Sequence, residues 1–144
     1  MASRRKGRIL AFQALYFWES NRGAEEVPVQ ELVGFAWLEE EKRVRLDEDT
    51  AAFSRTLIAG TIENIGEIDG MIAKHLENWD MTRLNRVDLA ILRISAYTLM
   101  FQNSIPPTIT IDEAIGISRE FGTDDSFKFI NGVLDSIRKT IQEA

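Results

Sequence analysis

The sequence predicts an all-α fold of about seven helices, on three observations. Apolar residues recur at spacings of three and four along nearly the whole chain, the period of a helix face. The one two-residue alternation, Thr108, Ile109, Thr110 and Ile111, is too short for a strand. Cap residues, glycine and proline fall between the periodic stretches, where helices start and stop. A chain of 144 residues that is 44% hydrophobic has the length and apolar content of one domain around one core.

Ser3 is placed to cap a first helix running to about Ser20, and Gly23 ends it. Its apolar residues, Ile9, Leu10, Ala11, Phe12, Ala14, Leu15, Phe17 and Trp18, cover most of the circumference, so the helix is buried on more than one side. Pro28 suits the first turn of a second helix carrying Leu32, Val33, Ala36 and Trp37. The polar run at residues 39–43 ends that helix or follows it. Asp47 then caps a long third helix. Phe53, Leu57, Thr61, Ile65, Ile68, Ile72 and Leu76 follow at steps of 4, 4, 4, 3, 4 and 4. At ~1.5 Å per residue this one stripe is roughly 37 Å long. Gly60, Gly66 and Gly70 interrupt it and permit close helix approach or mild bending. Trp79 sits in the connection, and a short turn at residues 82–85 leads to a helix over residues 87–101. Pro106 and Pro107 break the chain. Thr110 and Glu113 read as a capping box, and the helix they open ends at Gly122, read as a C′ glycine. Asp124 or Asp125 caps the last helix, whose stripe is Phe127, Ile130, Val133, Leu134, Ile137 and Ile141. Mid-helix Gly132 suggests a second backbone packed closely against it. The chain reads as one domain, residues 1–144, with helical halves of roughly 1–79 and 80–144.

Several function classes drop out. Cysteine is absent, which removes disulfides, thiolate nucleophiles and Cys-ligated metals. His75 is the single histidine, so no multi-His metal site forms, and no Gly-x-Ser-x-Gly elbow accompanies it. No run reaches the ~18 apolar residues of a membrane span, and no secretory leader is recognisable. The expectation is a soluble cytoplasmic protein, not an enzyme, with no cofactor, catalytic residue or metal site.

Net charge is −6, unevenly spread. Residues 1–22 carry a net +4, residues 23–70 a net −8 and residues 71–144 a net −2. An evenly acidic protein would be repelled by nucleic acid, so the basic tip is either a solvated tail or a phosphate-contacting arm.

Four constellations follow. Arg4, Arg5, Lys6 and Arg8 open the first helix, outside its apolar stripe, and Arg5, Ile9, Gln13 and Tyr16 share one side of it. Guanidinium groups bind phosphate, Gln reads base edges and Tyr stacks on bases, while the plain alternatives are a solvated Gln13 and a half-buried Tyr16. The second is the segment from Gly122 to Gly132, where a loop feeds a helix N-terminus bearing Ser126, Lys128, Phe129 and Asn131. Phe129 lies off the stripe, as a base-stacking platform or as packing against another helix. The acids Asp47, Glu48 and Asp49 read as first-turn residues favoured by the helix dipole, not as a metal site. His75 reads as a solvated or packed residue near a helix end.

The segments Ala14-Leu-Tyr16, Leu92-Arg-Ile94, Ile105-Pro-Pro107, Ile111-Asp-Glu-Ala114 and Lys128-Phe-Ile-Asn-Gly-Val-Leu-Asp135 resemble the NusB family of bacterial transcription antitermination factors. The likeness covers nearly the whole chain and is weakest over residues 24–50. It implies two helical bundles packed across each other, binding to boxA leader RNA of ribosomal RNA operons, and a partner in NusE, the small-subunit ribosomal protein. It also implies a place beside the other Nus factors in the RNA polymerase antitermination complex, with no reaction catalysed. By the resemblance, RNA is contacted by Arg4, Arg5, Lys6, Arg8, Gln13, Asp125, Lys128 and Phe129, and the protein partner by Tyr16 and Asp88. Two positions depart from the family pattern. Thr82 stands where some members carry an acid, and Thr98 replaces the Glu of a frequent Tyr-Glu-Leu. Both departures bear on partner contacts.

Two rival readings differ in class. A NusB-like domain of a ribosomal RNA cytosine methyltransferase would precede a Rossmann-type domain with a Cys nucleophile, so it requires this chain to be a fragment. A protein-only helical adaptor would leave the basic tip idle, and salt-dependent RNA binding separates it from the RNA reading.

Overall fold

Side-chain caps set several helix starts in the computed structural model, which describes residues 2–23, 26–77 and 80–143. Trp79, expected in the connection, lies outside them. The Ser3 Oγ accepts from the Lys6 N–H and opens α1, Arg4–Asn21. The Asp47 carboxylate accepts from the Thr50 N–H and opens α4, Glu48–Glu63. The remaining α-helices are α2 Val29–Val33, α3 Glu40–Val44, α5 Ile65–Lys74, α6 Arg86–Phe101, α7 Pro107–Phe121 and α8 Ser126–Glu143. With a 3₁₀ turn at Met81–Arg83, that makes eight α-helices and no strand among the described residues. No helix there is long and apolar enough to cross a membrane.

The polar run after the second helix forms α3, and α2 is a single turn. What stops α2 is a Schellman closure: Phe35 N–H donates to Leu32 O and Ala36 N–H to Glu31 O. This puts Phe35 in the left-handed region at φ 59°, one residue after the glycine that would adopt it at least cost. Burial of its ring, 2% exposed and facing Trp37 and Arg55, offsets the strain.

The long stripe is two helices, α4 and α5. Asn64 departs from helical geometry at φ −113°, ψ 21°, and its side-chain amide donates to Gly60 O. Its own carbonyl still accepts from Ile68, so the apolar spacing runs unbroken through a bend. Gly60 is where a helix approaches closely: a Cβ there would fall 2.3 Å from the Tyr97 ring. Gly66 and Gly70 face open space instead.

The capping box at Thr110 does not form. Pro107, with φ preset and no N–H to satisfy, starts α7 three residues earlier. Thr110 is then inside the helix, 4% exposed. Gly122 is not left-handed either, at φ −93°, ψ −169°. It is required for room, because a Cβ would lie 2.7 Å from both Ser118 O and Ser126 Oγ. The expected close backbone at Gly132 is absent, since nothing lies within 4 Å of a Cβ built there.

α1, α2 and α4 pack together, α5, α7 and α8 pack on α6, and α6 meets α1 and α4 along the seam. Every residue of α6 from Asp88 to Leu99 is buried. Two of them are charged, Asp88 at 6% exposed and Arg93 at 3%. Arg93 is the cation. It donates twice to Asp69 of α5, at 2.9 and 2.8 Å, and once to Glu19 of α1 at 3.3 Å, so three helices share one cation. Phe127 is not part of the core. It is half-buried at the first turn of α8, with the Arg119 guanidinium 4.6 Å above its ring.

Candidate nucleic-acid interface

The basic residues form the first turns of α1 and differ from one another. Arg4, Arg5 and Lys6 are exposed. Arg5 is held by α7, 2.9 Å from Glu120 and 3.7 Å from Glu113. Arg4 lies 5.3 Å from the centre of the Phe53 ring. Arg8 breaks the expectation of an arm clear of the core: it is 8% exposed, 5.4 Å from the same ring. Burial lowers its pKa, opposed by the nearby Glu113 and aided by Arg4. Its side chain also lines a small, partly open cavity of about 10 Å³, room for about one water, beside Phe12, Thr110 and Ala114.

Gln13 is half-buried further along α1, and Tyr16 is 42% exposed. The eight residues from Arg8 to Tyr16 put these two sites about 12 Å apart along the helix axis. The end of α7 lies alongside, with Phe121 5.2 Å from Phe12 and itself 37% exposed.

Three shallow grooves join in a row from Tyr16. The first, about 360 Å³, is lined by Tyr16, Asn85, Arg86, Val87, Phe121, Gly122 and Thr123. The second, about 320 Å³, shares Asn85 and Thr123 with it and adds Arg83, Leu84, Asp88, Asp125, Ser126 and Phe129. The third, about 300 Å³, shares Phe129 with the second and adds His75, Glu77, Lys128, Gly132, Val133 and Ser136. Phe129 is the ridge between the last two. It is half-buried and packs on the core, so its ring both supports the fold and walls two grooves.

Local structure explains these positions. Asn85 caps α6: its side-chain carbonyl accepts from Asp88 N–H at 2.8 Å, and its amide donates to Asp88 Oδ2 at 3.0 Å. This reciprocal box fixes Asp88 on the groove floor, 6% exposed. Burial raises the Asp88 pKa, and hydrogen bonds from Ser126 and Asn85 oppose the rise. Across the groove, Thr123 N–H donates to the Ser126 Oγ at 2.9 Å, closing the loop before α8. Asp125 holds the helix start through its carbonyl, which accepts from Phe129 N–H.

Tyr16, Asp88, Asp125, Lys128 and Phe129 thus come together along one run of grooves. The basic cluster does not join them and occupies the far end of α1. Thr82 is exposed in the 3₁₀ turn and bonded to Asp80. Thr98 is buried, donating to Ile94 O at 3.1 Å, so that position faces the core. Sequence reasoning missed Asn85 and Phe121. The Asn-x-x-Asp spacing at 85 and 88 carries the signal for the first, and nothing local marks the second as exposed. Among the described residues no three His, Asp or Glu groups are placed to hold a metal ion.

The model of the NusB family matches residues 5–139. Transcription antitermination protein NusB of Treponema pallidum (strain Nichols) is 50% identical over 137 residues, 95% of this chain and 93% of that protein. The solved structure of T. maritima NusB superposes with a TM-score of 0.83 at 39% identity, over 96% of this chain and 93% of that one. A NusB chain in the crystal structure of antitermination factors NusB and NusE with dsRNA gives 0.80 at 31% identity, over 95% and 96% of the two chains. With a family match running nearly end to end and half the residues shared with one relative, the chain belongs to the NusB family.

Proposed function

We propose that the protein is a transcription antitermination factor that binds boxA-type leader RNA together with NusE in the bacterial cytoplasm. It would act by binding rather than catalysis, keeping RNA polymerase processive on ribosomal RNA operons with other Nus factors. The observation that carries the reading is the run of grooves from Tyr16 to Phe129, set between exposed cations at the start of α1 and Lys128 on α8. Exposed aromatic rings beside cations suit single-stranded RNA, where bases stack and phosphates pair. Asp88 on the floor of the middle groove gives a basic ribosomal protein a carboxylate to meet. Likeness to a NusB chain solved with NusE and dsRNA supports both partners.

A second reading, a protein-only adaptor, draws on Arg5 and Arg8. One is ion-paired and the other buried, which lowers the charge offered to RNA. Size-exclusion chromatography of the protein with NusE and a boxA RNA separates the two. Co-elution of all three supports the first reading, and co-elution with NusE alone establishes the second.

A further inference from the structure

Gly132 has no structural reason to be glycine. It lies mid-helix in α8, exposed, where glycine costs stability relative to Ala. A Cβ there would touch nothing. Its neighbours are not featureless. Lys128, Gly132, Ser136 and Thr140 fall at successive steps of four, one face of the helix. Opposite them stands His75 at the end of α5, its Nδ1 2.7 Å from Ser136 Oγ and its Nε2 3.2 Å from Thr140 Oγ1. Burial lowers the His75 pKa, with Lys74 adding to the effect. Both hydroxyls fix the plane of the ring.

We propose that this third groove is a nucleotide subsite that extends the RNA track past Phe129, with one residue of a single strand seated against the bare backbone at Gly132. The inference rests on the RNA-binding reading above. The Lys128 ammonium takes the phosphate, the sugar and base edge lie over Gly132, and the base packs between the Phe129 and His75 rings. Missing side-chain atoms at 132 are what admit the strand, as glycine does wherever a ligand approaches backbone closely. Gly66 and Gly70 are equally open but line none of the three grooves.

The test is a substitution that fills the groove without disturbing the fold. Gly132→Ala and Gly132→Gln should both keep or raise the melting temperature, since a Cβ at 132 meets no protein atom and glycine is the weaker helix former. Gly132→Gln should weaken boxA RNA binding by about 5- to 150-fold, the range for losing one stacked base. Gly132→Ala should weaken it less. Gly66→Ala, the control, should raise the melting temperature and leave RNA affinity alone. Against a nested set of boxA RNAs trimmed from each end, the loss should vanish once the nucleotide at the subsite is removed. Parent-like RNA affinity for Gly132→Gln overturns the subsite and leaves RNA binding itself standing. A parent protein that binds no RNA overturns the reading beneath it.

Discussion

Separating the four N-terminal cations is the sharpest test of the interface. The sequence offers four equivalent charges, Arg4, Arg5, Lys6 and Arg8, whereas the structure offers three exposed and one buried under Phe53. Each phosphate contact to a single strand contributes ~0.7 to the slope of log K against log salt. Four contacts would give a drop of about 3 units on removal, and three give about 2. Arg5 must also leave Glu120 and Glu113, whose carboxylates then face the RNA, which pulls the expected drop for Arg4→Ala/Arg5→Ala/Lys6→Ala to between about 1.4 and about 2 units. The assay is fluorescence anisotropy of a labelled boxA RNA between about 50 and 400 mM KCl, the range over which counterion release is read. Arg8→Met tests the other half. It should leave the slope alone and lower the melting temperature, because a guanidinium over an aromatic face contributes ~0.5–2 kcal/mol and a domain this size loses about 2–4 °C per kcal/mol. A parental slope in the triple variant, or a lowered slope with unchanged melting in Arg8→Met, would refute the assignment.

Asp88→Asn should change how stability depends on pH. Burial raises the Asp88 pKa above its unfolded value, so its cost is absent below about pH 4 and grows as pH rises through the folded pKa. Urea midpoints across that window should fall with pH more steeply in the parent than in the variant; superimposable profiles would show the carboxylate to be solvated. Phe129→Ala should lower both RNA affinity, by about 1–3 kcal/mol, and stability, by less than the ~3–5 kcal/mol of a fully buried Phe, since its ring is half-buried. Phe127→Ala, read in the same two assays, should leave RNA affinity unchanged, and a loss there would place the RNA on the Arg119 side of α8 instead. Arg93→Met should cost about 3–5 kcal/mol in chemical denaturation by stranding Asp69 and Glu19, less whatever their partial exposure returns; a neutral result would mean the ion network is dispensable.

The helices were legible where one side-chain oxygen decides a boundary. Ser3 and Asp47 sit directly before a helical period, and both cap as read. Legibility failed where two signals competed. The Thr110 box is a genuine pattern, but Pro107 starts the helix first and buries it. The bend at Asn64 leaves no mark in the apolar spacing, because the steps of three and four pass through it intact. Arg8 was misread by its charge. It stands four residues before Phe12, on the same face, and that period predicts burial as well as it does for a leucine. Phe129 stood out as an aromatic off the helix stripe and Asp88 through resemblance, but neither charge nor period reveals that they wall one groove. That follows from the packing of α6 on α8, a contact between residues about forty apart in sequence.

The bend at Asn64 has a consequence beyond packing. Unbent, residues 48–74 would form a rod of about 40 Å, as long as a domain of this size is wide. Such a rod would carry its far end out past the body of the protein. The helical path is interrupted at one asparagine, and at the end of the second segment His75 meets Ser136 and Thr140. The wall of the third groove is therefore aimed by a hinge eleven residues away that touches none of it. Altering Asn64 would shift His75 without substituting any residue that lines the groove, so the shape of that surface depends on a position outside it.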